Sequence, residues 1–167
     1  MRAWECRSAE EANILNPPFI GGLCFEVIRE YCNNAKKEAP YILPFLTVPL
    51  ILHKKTRESL PTTIRTTFVS WALSSTGTQV KTKYFAHTKA LVPVIKEAVS
   101  FIIKNGFLSI TQRGNFELGL KNKLLKQIPP DFTDEVNDCF KRAAFCGRWF
   151  AHAGKIETIM ALLGVKP

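Results

Sequence analysis

The sequence predicts a mainly α-helical domain with one small β-hairpin. Three observations carry that expectation. Apolar residues recur at helical spacing through most of the 167 residues, proline, glycine and asparagine cut the chain into helix-sized segments, and only the stretch around residues 107–118 alternates with period two about a turn. Nearly half of the residues are apolar (46%), enough for a real core at this length and too many for a disordered chain. We therefore expect one domain over 1–167, with a helical part over 1–75, a helix and hairpin over 79–118, and a C-terminal helical part over 131–164.

Each element has its own signal. Asn16 is a good N-cap and Pro17 suits a first helical turn, so a helix should begin there and stop near Asn33-Asn34. Within it, Phe19, Ile20, Leu23, Val27, Ile28 and Tyr31 follow the helical pattern. Gly21-Gly22 costs roughly 1 kcal/mol of helix propensity per glycine, so a second element should approach closely there. The segment from Ala39 to Leu52 is apolar on every side and interrupted by Pro40, Pro44 and Pro49, which makes it a short buried helix or an extended piece that cannot pair as a central strand. Next comes a polar turn with Thr56 as candidate cap and Pro61 as stop, then a short helix over Thr66–Ser74. Ser74-Ser75-Thr76-Gly77 reads as a loop.

Gln79 to Asn105 is the longest regular segment, with a kink or a break into two helices expected at Pro93. Beyond it, Val94, Ile95, Ala98, Val99, Ile102 and Ile103 share one stripe, and Lys96 and Lys104 lie off it. Asn105-Gly106 is a helix stop that favours a left-handed cap. Phe107–Ile110 and Phe116–Leu118 flank the turn Gln112-Arg113-Gly114-Asn115 as a hairpin. A helix running straight into a hairpin with a basic tip is a winged-helix-like layout. Thr133 should cap a helix that carries Asp134 and Glu135 in its first turn, where the helix dipole favours anions, and that runs to about Ala153. A last helix spans Ile156–Leu163 and ends at Gly164.

Positive charge is concentrated. There are 23 Lys and Arg against 14 Asp and Glu, yet residues 1–50 carry 5 basic and 6 acidic side chains, residues 131–167 carry 5 of each, and residues 51–130 carry 13 and 3. A block of this kind serves a polyanion, most often nucleic acid. Lys54, Lys55, Arg57, Lys81, Lys83, Arg113, Lys121, Lys123 and Lys126 are the candidate DNA contacts, to phosphates rather than to bases. Phe145, Arg148 and Trp149 are the candidate partner interface, since Trp and Arg are frequent interface anchors; core packing is the competing reading for Phe145 and Trp149.

Catalytic signatures are missing. The chain has no phosphate-binding loop, no dinucleotide fingerprint and no nucleophile elbow, so no catalytic, metal or cofactor residue is assigned. The five cysteines include no Cys-x-x-Cys pair and read as reduced core residues. Glu5, Glu10 and Glu11 stand where a leader would need an apolar run, and Ala39–Leu52 is too short to span a bilayer. A soluble cytoplasmic protein is expected. Two rival functions follow from the same residues. One is a stand-alone winged-helix DNA-binding transcriptional regulator; the other is an enzyme built on Cys146 or on His152, with Asp134 or Glu157 near the imidazole.

Four strings occur together in order: E-E-A-N-I-L-N-P (Glu10 to Pro17), P-L-I-L-H-K-K-T-R-E-S-L-P (Pro49 to Pro61), A-L-V-P-V-I-K-E-A-V-S-F (Ala90 to Phe101), and G-R-W-F-A-H-A-G with A-L-L-G-V-K-P at the end. Over nearly the whole chain they resemble the middle component of bacterial three-component ABC (Lamassu-type) defence systems. That resemblance implies a non-enzymatic subunit between an SMC-like ABC ATPase, which senses DNA, and an effector, usually a nuclease; double-stranded DNA is a candidate partner of this chain's own basic block. It implies architectural or contact roles for Asn13, Asn16, Pro17, His53, Arg57, Pro61, Arg148, Trp149 and Gly154, and it supplies no catalytic residue.

Overall fold

The computed structural model describes residues 15–122 and 133–165. Helix α1 (Pro17–Ala35) starts as its capping chemistry demands: the Asn16 side chain accepts the Phe19 N–H at 3.1 Å. It ends where Lys36 turns into left-handed backbone (φ 53°) and returns its N–H to the Cys32 carbonyl. Its buried side, from Ile20 through Tyr31, is the centre of a contiguous apolar cluster.

The helices that cover α1 approach unusually closely. A Cβ on Gly21 would come within 2.6 Å of Ile102 Cγ2, and one on Gly22 within 3.0 Å of the Phe140 ring. The glycine pair therefore serves the close contact its helix-breaking composition implied. Gly147 does the same from the opposite side, where a Cβ would meet the Val27 carbonyl at 2.4 Å.

Helix α2 (Leu43–Leu52) is buried from Leu43 through Ile51, and a helix with no polar face belongs inside a core. Helix α3 (Lys54–Ser59) follows at once. Here the expected polar turn is a helix, and its cap is His53 rather than Thr56: Nδ1 of His53 accepts the Thr56 N–H at 3.3 Å. Helix α4 (Phe68–Leu73) is capped by Thr67.

Ser74 is not loop but the N-cap of α5 (Ser75–Lys104), its hydroxyl accepting the Gly77 N–H at 3.1 Å. Helix α5 runs through Pro93 as one helix rather than two; that residue sits on the exposed side. At 1.5 Å per residue it is about 45 Å long. Gly106, at φ 78°, then turns the chain into β1 (Leu108–Ile110), which pairs antiparallel with β2 (Phe116–Leu118), Ser109 opposite Glu117.

The hairpin is fastened to the body. Ala39 and Phe116 exchange backbone hydrogen bonds at 2.9 and 2.8 Å, and the Glu38 carboxylate accepts from the Thr111 hydroxyl and the Asn115 amide. Helix α6 (Asp134–Ala151), capped by Thr133, packs along α1, and α7 (Ile156–Leu163) closes at Gly164 in left-handed backbone. No described helix is long and apolar enough to cross a membrane.

Candidate functional site

Of the described sequence-derived basic candidates, Lys54, Lys55 and Lys81 belong to the N-terminal part of α5 and its neighbour α3, and Arg113 and Lys121 follow the end of α5 in the chain. At its N-terminal end, Lys54 and Lys55 are exposed on α3, and Lys81 is half-buried. Between α3 and α5 lies a pocket of about 350 Å³ lined by His53, Lys55, Thr56, Gln79, Tyr84 and His87 among others, none of them a carboxylate. The two imidazoles lie 5.0 Å apart at 43°. Nδ1 of His53 is held by Thr56, 2.8 Å from its hydroxyl. Imidazole, ammonium and hydroxyl groups converging without a carboxylate suit an oxyanion such as a phosphate. Lys83 belongs to the same stretch of helix; its side chain lies outside the described set, as do Lys123 and Lys126.

At the far end, Arg113 is exposed on the hairpin turn, and Lys121 is exposed beside Gly106, whose carbonyl accepts its N–H at 3.1 Å. From Lys81 to Lys104 the axis of α5 covers about 35 Å at 1.5 Å per residue. Lys89, Lys96 and Lys104 stand exposed along the interval. These three were missing from the sequence-derived candidates, although their spacing along one helix was available to find them.

Arg57 leaves the candidate surface. It is 2% exposed, its Nε donating to Asp138 Oδ2 at 2.6 Å, its Nη2 to Glu135 Oε1 at 3.0 Å and its Nη1 to the Ile51 carbonyl at 2.8 Å. Burial by itself would lower the pKa of the guanidinium, but its hydrogen bonds to the Asp138 and Glu135 carboxylates outweigh it and raise the value. A cation so enclosed ties α3 to α6 and has no donor directed at a polyanion.

Phe145 and Trp149 are likewise interior residues, 6% and 1% exposed, so they do not form an anchor patch. Trp149 packs against Phe68, Trp71, Phe145 and Phe150 with ring centroids 5.1–5.9 Å apart, and its indole N–H donates to the Thr66 carbonyl at 2.7 Å. Core packing is the reading the structure supports. Of the three candidates only Arg148 reaches the surface, and it is paired with Glu30 at 2.8 Å.

Two of the residues named for the enzyme reading are placed against it. Cys146 is fully buried, its thiol pushed up to about 12 by desolvation, which is the opposite of a reactive thiolate. His152 stands beyond the C-terminal end of α6, about 27 Å along the axis from Asp134 at its start. Among the described residues, no three His, Cys, Asp or Glu side chains gather into a metal-binding group. The described cysteines Cys24, Cys32, Cys139 and Cys146 are free thiols.

No curated protein and no solved structure is significantly similar to the chain. One family model does match, and it extends over residues 4–167, from ahead of α1 through α7. The kinship read from the four strings is thus shown at the level of the ABC three-component middle component. The chain belongs to the family of ABC-three component (ABC-3C) system Middle Component 3.

Proposed function

We propose that this chain is a non-enzymatic bridging subunit of a Lamassu-type defence complex in the cytoplasm. It sits between an SMC-like ABC ATPase and an effector subunit, a nuclease, holds the effector inactive and contributes to DNA contact. The observation that carries this reading is the outward placement of Lys54, Lys55, Lys89, Lys96, Lys104, Arg113 and Lys121 on a member of a middle-component family. Long-range attraction to a polyanion and packing against partner subunits are both surface properties, and neither needs a catalytic centre.

The hairpin directly after the Asn105-Gly106 stop, with Arg113 at its exposed turn, supports a winged-helix-like reading with the wing facing phosphate. The contiguous apolar cluster drawn from α1 through α7 supports a single-domain body.

The test is co-expression with the genomic neighbours, followed by native mass spectrometry of what is recovered. A complex containing an ABC ATPase and a second subunit is the expected result. Recovery as a lone homodimer with a preferred operator would replace the bridging reading with that of a transcriptional regulator.

A further inference from the structure

A second concavity, of about 310 Å³, lies between α2 and α5, away from the histidine pocket. Tyr41, Phe45 and Leu46 line it from α2 and the turn before it, Phe85 and Val92 line it from α5, and Val165, beyond α7, borders it as well. Two of these rings are open to solvent to a degree rare for aromatics in a folded chain: Phe85 is 54% exposed and Tyr41 40%. Tyr41 is nonetheless fixed, stacked on Phe116 at 5.0 Å and packed on Phe45 at 5.5 Å. The hairpin that buries Phe116 therefore buttresses one wall of the groove.

The second wall has a regular pattern. Phe85, Lys89, Val92 and Lys96 follow one another at intervals of four, three and four residues, so they form a single stripe along α5. Apolar and basic residues alternate on it, and the two ammonium groups leave the helix about 10.5 Å apart along the axis, two turns at 5.4 Å each. No carboxylate lines the groove. It combines a preformed apolar cleft with cations on one rim, whereas contact to the phosphates of a duplex makes no use of an open aromatic cleft.

We infer that this groove docks an amphipathic helix of one of the partner components. That helix inserts apolar side chains from successive turns between Tyr41 and Phe85, and it presents carboxylates about two turns apart to Lys89 and Lys96. Charge complementarity selects an acidic partner, and the two-turn spacing of Lys89 and Lys96 along the cleft selects a helix, whose carboxylates recur at the same interval. The inference rests on the bridging reading and names the surface that does the bridging.

The test uses the full chain co-expressed with both neighbouring components. Lys89→Glu combined with Lys96→Glu should weaken assembly with one component at least ~10-fold, as reversal of rim charges around an apolar anchor does. Phe85→Ala should weaken the same component, and Lys141→Glu, on the exposed side of α6 and outside the groove, should leave assembly within about 2-fold. All these side chains are exposed, so unchanged thermal unfolding checks that the variants fold. A photoreactive phenylalanine analogue at position 85 should cross-link to an acidic amphipathic helix of that component.

Wild-type chain recovered with neither component overturns the bridging reading and this inference together. Assembly that survives the double reversal and Phe85→Ala within about 2-fold overturns the groove alone. Cross-links that land on DNA or on a second copy of this chain also overturn it.

Discussion

Arg57 shows how one side chain can carry a charge without presenting it. Its carboxylate partners are not themselves buried, Glu135 being 64% exposed and Asp138 42%, so removing the arginine returns them to water at little cost. What is lost is the buried side chain's packing and three hydrogen bonds, one of them to the Ile51 carbonyl. We predict that Arg57→Ala lowers the unfolding free energy by about 2–4 kcal/mol in urea denaturation, while Glu135→Gln costs under about 1 kcal/mol; equal costs would show that the exposed carboxylate matters as much as the buried cation. Glu26 behaves differently. Burial raises its pKa above 4.5 despite Arg29 beside it. The folded state then holds a proton that the unfolded state has released, so this residue's contribution to stability is complete below pH 4.5 and is lost as pH rises through the folded value. Relative to wild type, Glu26→Gln should gain stability between pH 4 and pH 7. Thermal melts at both pH values read this, and a difference that does not change with pH would refute it. The caps at Asn16 and Thr133 were legible in the sequence because capping is decided within three residues. Arg57 was not, because its partners are 78 and 81 positions away.

Between α1 and α6 the closest approach is at Gly147, where a methyl group would meet the Val27 carbonyl and the Tyr31 N–H of α1. Both neighbours are helix backbone, so nothing can rotate aside and α1 and α6 would have to separate. Gly147→Ala should cost about 3 kcal/mol, the upper end for overpacking, or fail to fold. Gly114→Ala, at φ 77° with nothing within 4 Å, meets only the left-handed backbone penalty of about 1–2 kcal/mol. Thermal unfolding of the two variants should rank them in that order, and the reverse order would mean that the helices can part more easily than the turn can change. Gly21-Gly22 announced a close contact in the sequence. Gly147 did not, standing in an aromatic stretch that reads equally as core or patch until Phe68 and Trp71 are seen to enclose Trp149. The stretch Ser74 to Gly77 failed for a related reason: a hydroxyl before a glycine has the same composition in a loop and in a cap, and only the 3.1 Å bond from the Gly77 N–H to Ser74 separates them.

For the molecule as a whole, the excess of positive charge in residues 51–130 was plain in the sequence, but its division was not. Composition along a chain carries no distance, and it is the length of α5 that separates Lys81 near its start from Lys104 at its end. On the proposed reading this separation becomes a ruler. A duplex rises 3.4 Å per base pair, so about 10 base pairs are needed to span the ~35 Å of helix axis between them. Shorter DNA cannot reach both ends of the helix at once. Affinity for duplexes of random sequence should therefore rise steeply, by about 10-fold or more, between about 8 and 14 base pairs and flatten beyond. Reversing Lys81 or Lys104 should each remove about one counterion from the salt dependence and abolish the step. Fluorescence anisotropy across a ladder of duplex lengths at two salt concentrations would measure both. A smooth rise with length would mean that the lysines along α5 act as one diffuse field. A step that survives both reversals would place the DNA on another face of the subunit.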